Sequence, residues 1–164
     1  MTPFAEQVVS LLKEKKYHIS FAESCTAGLA VGALVEVASA SEVLSVSFVT
    51  YANEAKVKYA HVSQKTLKKH GAVSEQTAGE MAKGCAKEAK AEVGVGISGI
   101  AGPGGGTPEK PVGTVCFGFY VNGVLSTQTC HFGDIGRNEV REASVKTALR
   151  RLHELLSADE KKAK

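Results

Sequence analysis

Three stretches of this chain carry residue types that can do chemistry, and each follows an apolar run. The first is Glu23-Ser24-Cys25-Thr26-Ala27-Gly28, where small residues mark a change from strand to helix. A serine at such a helix start can act as a nucleophile, aided by backbone N–H groups and the helix dipole. Ser24 or Thr26 can equally serve as a plain N-cap. Cys25 is a rival nucleophile, because a helix N-terminus lowers a thiol pKa. The second stretch runs from Tyr51 to Lys56. Lys56 sits one turn after Ala52, close to a strand's end, either as a site cation or as one more solvated lysine. Tyr51 is either a site hydroxyl or a core aromatic with a wet tip, and Asn53 is a plausible cap for the helix that follows.

The third stretch is ISGIAGPGGGTPEKPVGT, Ile97 to Thr114, which holds six of the seventeen glycines and three of the four prolines. Ordinary loops have a median of about 4–6 residues, so this one is long for a mere connection. Gly102, Gly104, Gly105 and Gly106 let the backbone take positive φ and approach a ligand. Their N–H groups can form an anion nest. Pro103, Pro108 and Pro111 restrict φ and hold the loop open. Thr107 adds a hydroxyl and Lys110 a cation. The functional reading is a phosphate or carboxylate cradle; the bland one is a flexible turn. Neither G-x-x-x-x-G-K-[ST] nor G-x-G-x-x-G can be written here. Arg137 and Arg141 lie four apart at the start of the last helix, either clamping an anion or forming a solvated basic face. His131 alternates with Cys130 and reads as a sheet residue that can border the site.

The elements that must position these residues alternate. Thr2-Pro3 opens an amphipathic helix over 3–15, with Phe4, Val8, Leu11 and Leu12 on one face. Strands are expected at 17–22, 43–51, 93–97, 113–121 and 124–132, and a helix over 29–37. Asn122-Gly123 joins the last two strands as a hairpin. Ser63 and Ser74 cap two further helices; Gly71 ends the first of these, and Met81 and Cys85 on the second are core residues. The last helix buries Val140, Val145, Leu149, Leu152 and Leu156. This pattern predicts a three-layer α/β/α sandwich whose mixed sheet is mostly parallel and contains one antiparallel strand. Ligands gather at the C-terminal ends of such strands, so the three stretches are expected to converge there. Residues 1–158 are expected to form one domain and 159–164 a polar tail, frayed at Lys161–Lys164.

With 43% hydrophobic and 23% charged residues, the composition is that of a soluble globular protein. A net charge of +3, dispersed lysines and 6% aromatics argue against nucleic acid and suit a small anionic substrate. No membrane span or signal-peptide pattern is present, and Cys25, Cys85, Cys116 and Cys130 never form C-x-x-C. They read as reduced thiols in a cytoplasmic protein. No short histidine pair suggests a metal, and no cofactor is expected.

AESCTAG, VTYANEAK, HGAVSE and SGIAGPGGGTPEKPVGTV together resemble the CinA C-terminal domain family, over nearly the whole chain and in order. Stand-alone members of that family include nicotinamide mononucleotide deamidases, and this chain resembles that single-domain form. The resemblance implies hydrolysis of the nicotinamide amide to nicotinic acid mononucleotide and ammonia. It implies Ser24 as nucleophile, with Tyr51 and Lys56 as its partners. A Ser–Lys arrangement does this chemistry without histidine, provided that burial or a nearby cation keeps Lys56 neutral part of the time. N–H groups after Ser24 are the natural oxyanion hole. Cys25, Thr26 and Asn53 are expected to border the substrate, and the glycine loop with Lys110, Arg137 and Arg141 to take its phosphate. The partner expected is thus a small anionic nucleotide, and the assembly a homodimer. The alternative is a nucleotide-binding module that kept the fold without the activity. Ala27 stands where the family usually has glycine.

Overall fold

The computed structural model describes residues 3–159. The Thr2 cap and the tail from 160 onward lie outside them. The first helix, α1 (Pro3–Lys15), buries Ala5, Val8, Val9 and Leu12 as its periodicity requires. Strand β1 (Ile19–Glu23) is buried at every position and leads through a turn into α2 (Leu29–Val35). A 3-10 turn at Ala40–Glu42 precedes β2 (Phe48–Val49) and α3 (Asn53–Ala60). Helices α4 (Gln64–His70) and α5 (Glu75–Ala89) follow. Ser63 and Ser74 cap them by accepting N–H bonds from Thr66 and Thr77. The chain closes with β3 (Val93–Gly99), β4 (Thr114–Val121), β5 (Val124–His131) and α6 (Arg137–Ala158).

The strand order is β2-β1-β3-β4-β5. Strand β1 is parallel to β2 and β3, whereas β4 is antiparallel to both β3 and β5, so β4 alone runs against the rest. The β4–β5 turn has Asn122 and Gly123 at φ 47 and 90, both positive as a type I′ hairpin demands. Among the described residues, no helix is long and apolar enough to cross a membrane.

Alternation along the strands builds two unlike faces. On β3, Val93, Val95 and Ile97 point to one side, where Phe21, Phe117 and Phe119 join the apolar faces of α1, α2 and α6 in the main core. Each of these phenylalanines contributes about 2–3 kcal/mol by its burial. On the other side, Gly94 and Gly96 let α5 lie almost against the sheet backbone. A Cβ on Gly96 would stand 2.2 Å from the Ala78 carbonyl oxygen. A smaller cluster of Ala22, Ala60, Val62, Met81 and Cys85 fills the layer of α3 and α5.

The strand expected over 43–51 reduces to two residues. Leu44 still bridges to Ile19, but three residues on, Ala22 pairs with Phe48, four residues beyond Leu44. The extra residue breaks the ladder, and Ser47 Oγ accepts the Phe21 N–H at 3.0 Å. The helix expected over 29–37 ends at Val35.

Candidate active site

Strands β1 and β3 are parallel neighbours, so the segments that follow them emerge side by side at one sheet edge, with residues 50–52 after β2 next to them. An open cleft of about 240 Å³ lies there, bordered by Ser24, Cys25, Tyr51, the loop at Gly99–Gly102, Gly104 and Gly105, and Arg137. The three stretches thus converge as the sheet topology predicted. Larger clefts lie between α2 and α6, between α3 and α4, and beside α4, α5 and β5, but Ser24 and Lys56 line none of them.

Ser24 begins the turn after β1, its N–H bonded to the Ile97 carbonyl at 2.9 Å. Neither Ser24 nor Thr26 caps α2. The N-cap is Gly28 at φ 96, with no side-chain cap of its own. Glu23 does that work. Only 1% exposed, its carboxylate accepts the N–H groups of Gly28, Ala30 and Val31 at 2.9–3.1 Å. A carboxylate at a helix N-terminus meets both unsatisfied donors and the dipole. Ser24 Oγ is therefore left free of capping. Ala27 takes φ 47, the left-handed conformation, where glycine would be unstrained.

Lys56 supplies the partner. It stands on the inward face of α3 with Ala60, one turn on, and is 1% exposed rather than solvated. Its Nζ donates to Ser24 Oγ at 3.0 Å, to the Thr50 carbonyl at 2.7 Å and to the Tyr51 carbonyl at 3.0 Å. An ammonium has three N–H bonds, and these contacts use all three. A neutral amine would keep the two carbonyl contacts and turn its lone pair on Ser24 Oγ. Burial favours that form, lowering the Lys56 ammonium from 10.5 to about 8.

Tyr51 is 58% exposed and not a core aromatic. Its main-chain carbonyl holds Lys56, whereas its hydroxyl accepts from Arg137 Nη2 at 3.2 Å. That contact leaves the phenolic O–H free to donate into the cleft. Arg137 also donates from Nη1 to the Gly102 carbonyl at 2.8 Å, tying the glycine loop to α6.

Cys25 behaves oppositely to the expectation from its helix position. Its side chain packs in the main core, and burial pushes the thiol up to about 11. It is a protonated neighbour at neutral pH, not a thiolate. Thr26 is fully buried, and its Oγ1 has no hydrogen-bond partner among the described residues.

The glycine loop is closed at its base by Ile100 N–H to Thr114 O and Gly113 N–H to Ile100 O. Among the described residues, the N–H groups of Ala101, Gly102, Gly104, Gly105 and Gly106 have no acceptor, the condition for an anion nest. Gly106 stands against the Val112 backbone and does not border the cleft. Thr107 and Lys110 bond each other in an inner turn. Lys110 Nζ donates to the His70 carbonyl at 2.7 Å, capping α4 and not facing Ser24. Asn53 is the first residue of α3, not its cap; that position belongs to Ala52, and Asn53 lines the α3–α4 cleft instead. The two arginines do not form one clamp. Arg141 turns to the carbonyls of Cys25 and Thr26. His131 Nδ1 lies 3.2 Å from Thr114 Oγ1 on the sheet.

Glu23 is the residue that sequence reasoning passed over. Its signal was an acidic residue just before a helix start, where carboxylates are favoured.

Fold and site together define a three-layer α/β protein with a serine–lysine pair at one sheet edge. The CinA C-terminal domain model matches residues 1–156, and the chain belongs to that family. It is 50% identical over 144 residues to a CinA-like protein of Kosmotoga olearia, covering 88% of this chain and 35% of that protein. A CinA-like protein of Chlorobaculum tepidum is 45% identical over 158 residues, covering 92% and 37%. The chain thus spans about a third of the length of these curated relatives. Among solved structures, the competence/damage inducible protein CihA from Agrobacterium tumefaciens is 44% identical, with a TM-score of 0.90, 94% of this chain and 93% of that one being covered. The competence damage-inducible protein A (ComA) from Klebsiella pneumoniae is 32% identical, with a TM-score of 0.91 and coverage of 96% and 97%.

Proposed function

We propose that this chain hydrolyses the amide of nicotinamide mononucleotide to nicotinic acid mononucleotide and ammonia. The observation that carries the proposal is the buried Lys56 amine, 3.0 Å from Ser24 Oγ. The resemblance to the family supports the choice of substrate, and the serine–lysine pair supports the chemistry.

Neutral Lys56 takes the Ser24 proton as Oγ attacks the amide carbon. The carbonyl oxygen becomes an oxyanion held by N–H groups of the turn after Ser24. The C–N bond then breaks, and the leaving nitrogen takes the proton back from Lys56 and departs as ammonia; the Tyr51 hydroxyl, at the border of the cleft, is assigned to assist. Water, activated by the same lysine, attacks the Ser24 ester, releases the carboxylate and restores the serine. The 5′-phosphate is assigned to the free N–H groups of Gly102, Gly104 and Gly105, with Arg137 beside them.

The test is ammonia release from purified protein with nicotinamide mononucleotide, nicotinamide riboside and free nicotinamide. The expected result is turnover of the mononucleotide, weaker turnover of the riboside and little from nicotinamide. No release from any of the three by folded protein overturns the proposal and leaves a binding module of the same fold.

A further inference from the structure

Arg141 stands beside the nucleophile, but its guanidinium is committed. Nε donates to the Cys25 carbonyl at 2.9 Å and Nη2 to the Thr26 carbonyl at 3.3 Å, while Nη1 donates to Asn138 Oδ1 at 3.1 Å. The first two oxygens belong to the peptide units just beyond Ser24. In a trans peptide the N–H points opposite to its C=O. Holding the Cys25 carbonyl therefore sets the direction of the Thr26 N–H. The Ser24 carbonyl accepts the Ala27 N–H at 3.1 Å, which orients the Cys25 N–H in the same way. Neither the Cys25 N–H nor the Thr26 N–H has an acceptor on another described residue. Glu23 grips the far end of the turn through Gly28, Ala30 and Val31. The turn is thus pulled from two sides, and the donors next to the nucleophile are left open.

We propose that Arg141 is a positioning residue that holds the N–H groups after Ser24 as an oxyanion hole, and is not a ligand for the substrate phosphate. The inference rests on Ser24 as the nucleophile. It deepens that reading, because an oxyanion hole works only when its donors are fixed before the charge develops. It also divides the arginine pair: Arg137 faces the cleft and Arg141 faces the turn.

The experiment compares wild type with Arg141→Lys and Arg141→Ala, using nicotinamide mononucleotide and nicotinamide riboside. The expected result is a fall in kcat of about 10²-fold for Arg141→Ala, the scale of a small misplacement of catalytic groups. KM should change little, the loss should be equal for both substrates, and added guanidinium should partly restore the rate. Phosphonylation of Ser24 by a fluorophosphonate, which needs the same donors, should slow in parallel. A rise in KM for the mononucleotide alone, with kcat kept, overturns the inference in favour of a phosphate ligand. Unchanged kinetics overturn it too, as does a loss that only tracks the unfolded fraction measured by urea titration. If wild type releases no ammonia from either compound, the substrate reading fails, and the fluorophosphonate rates still decide the role of Arg141.

Discussion

Replacing Lys56 by methionine should exchange activity for stability, with an exchange that depends on pH. In the native state the Lys56 ammonium gives up its proton at about 8, and in the unfolded chain near 10.5. Between those values the unfolded chain holds more protons, so native stability rises with pH. The cost of the buried charge is present in full below pH 8 and is gone above 10.5. At roughly 1.4 kcal/mol per pH unit, the gap amounts to about 3 kcal/mol. Methionine keeps the length of the side chain without the charge. It also leaves Ser24 Oγ and the Thr50 and Tyr51 carbonyls without their donor, so the stability at one pH mixes two effects. Their dependence on pH separates them. Urea unfolding of both proteins, at steps from about pH 7 to 10.5, should show wild type gaining on Lys56→Met through this window by about 3 kcal/mol. Groups common to both proteins cancel in the difference. Wild-type kcat/KM should rise about tenfold from pH 7 to 9, as the neutral amine grows from about a tenth to about nine tenths of the molecules. A stability difference that stays flat across the window would refute the reasoning, because Lys56 would then keep its ordinary proton affinity.

Three further outcomes follow from the same geometry. Ala27→Gly relieves a residue at φ 47; about 1–2 kcal/mol of strain less the extra freedom of unfolded glycine leaves a gain of roughly 0.5–1 kcal/mol, read as a higher Tm. A lower Tm contradicts it. Gly96→Ala puts a methyl 2.2 Å from the Ala78 carbonyl oxygen, and should cost about 3 kcal/mol in urea titration or abolish soluble expression; a loss under about 1 kcal/mol would mean that α5 has room to retreat. Cys25→Ser should keep ammonia release within a few-fold of wild type, and iodoacetamide should modify Cys25 slowly, since burial holds its thiol near 11. Loss of turnover in both experiments would move the nucleophile to sulfur.

The parts of this molecule legible in its sequence are those governed by local rules. Asn122-Gly123 announced a hairpin because both residues tolerate positive φ. Ser63 and Ser74 announced helix starts because their hydroxyls reach the N–H three residues on. The apolar run Val93–Ile97 marked a strand, though not that its glycines make room for α5. Convergence of Ser24, Tyr51, Lys56 and the glycine loop followed from strand direction alone. What stayed hidden depends on which groups the fold leaves unpaired. Nothing local distinguishes Lys56 from the solvated lysines; its burial depends on the Thr50 and Tyr51 carbonyls, free only because β2 ends at Val49. Arg141 and Lys110 read as anion ligands because arginine and lysine suit that task, yet each is engaged by main-chain carbonyls distant in sequence. Glu23 carries one local signal, its place ahead of a helix start, but its partners are backbone N–H groups that become specific only once the turn is folded.

The most direct test of the account compares Ser24→Ala with wild type in ammonia release from nicotinamide mononucleotide, alongside binding of the same compound by calorimetry. Ser24→Ala is expected to fold, to bind the mononucleotide within a few-fold of wild type and to release no ammonia above background. Wild-type rates of release from Ser24→Ala would contradict the role of Ser24 as nucleophile, because among the described residues no other nucleophile in the cleft is hydrogen-bonded to a base.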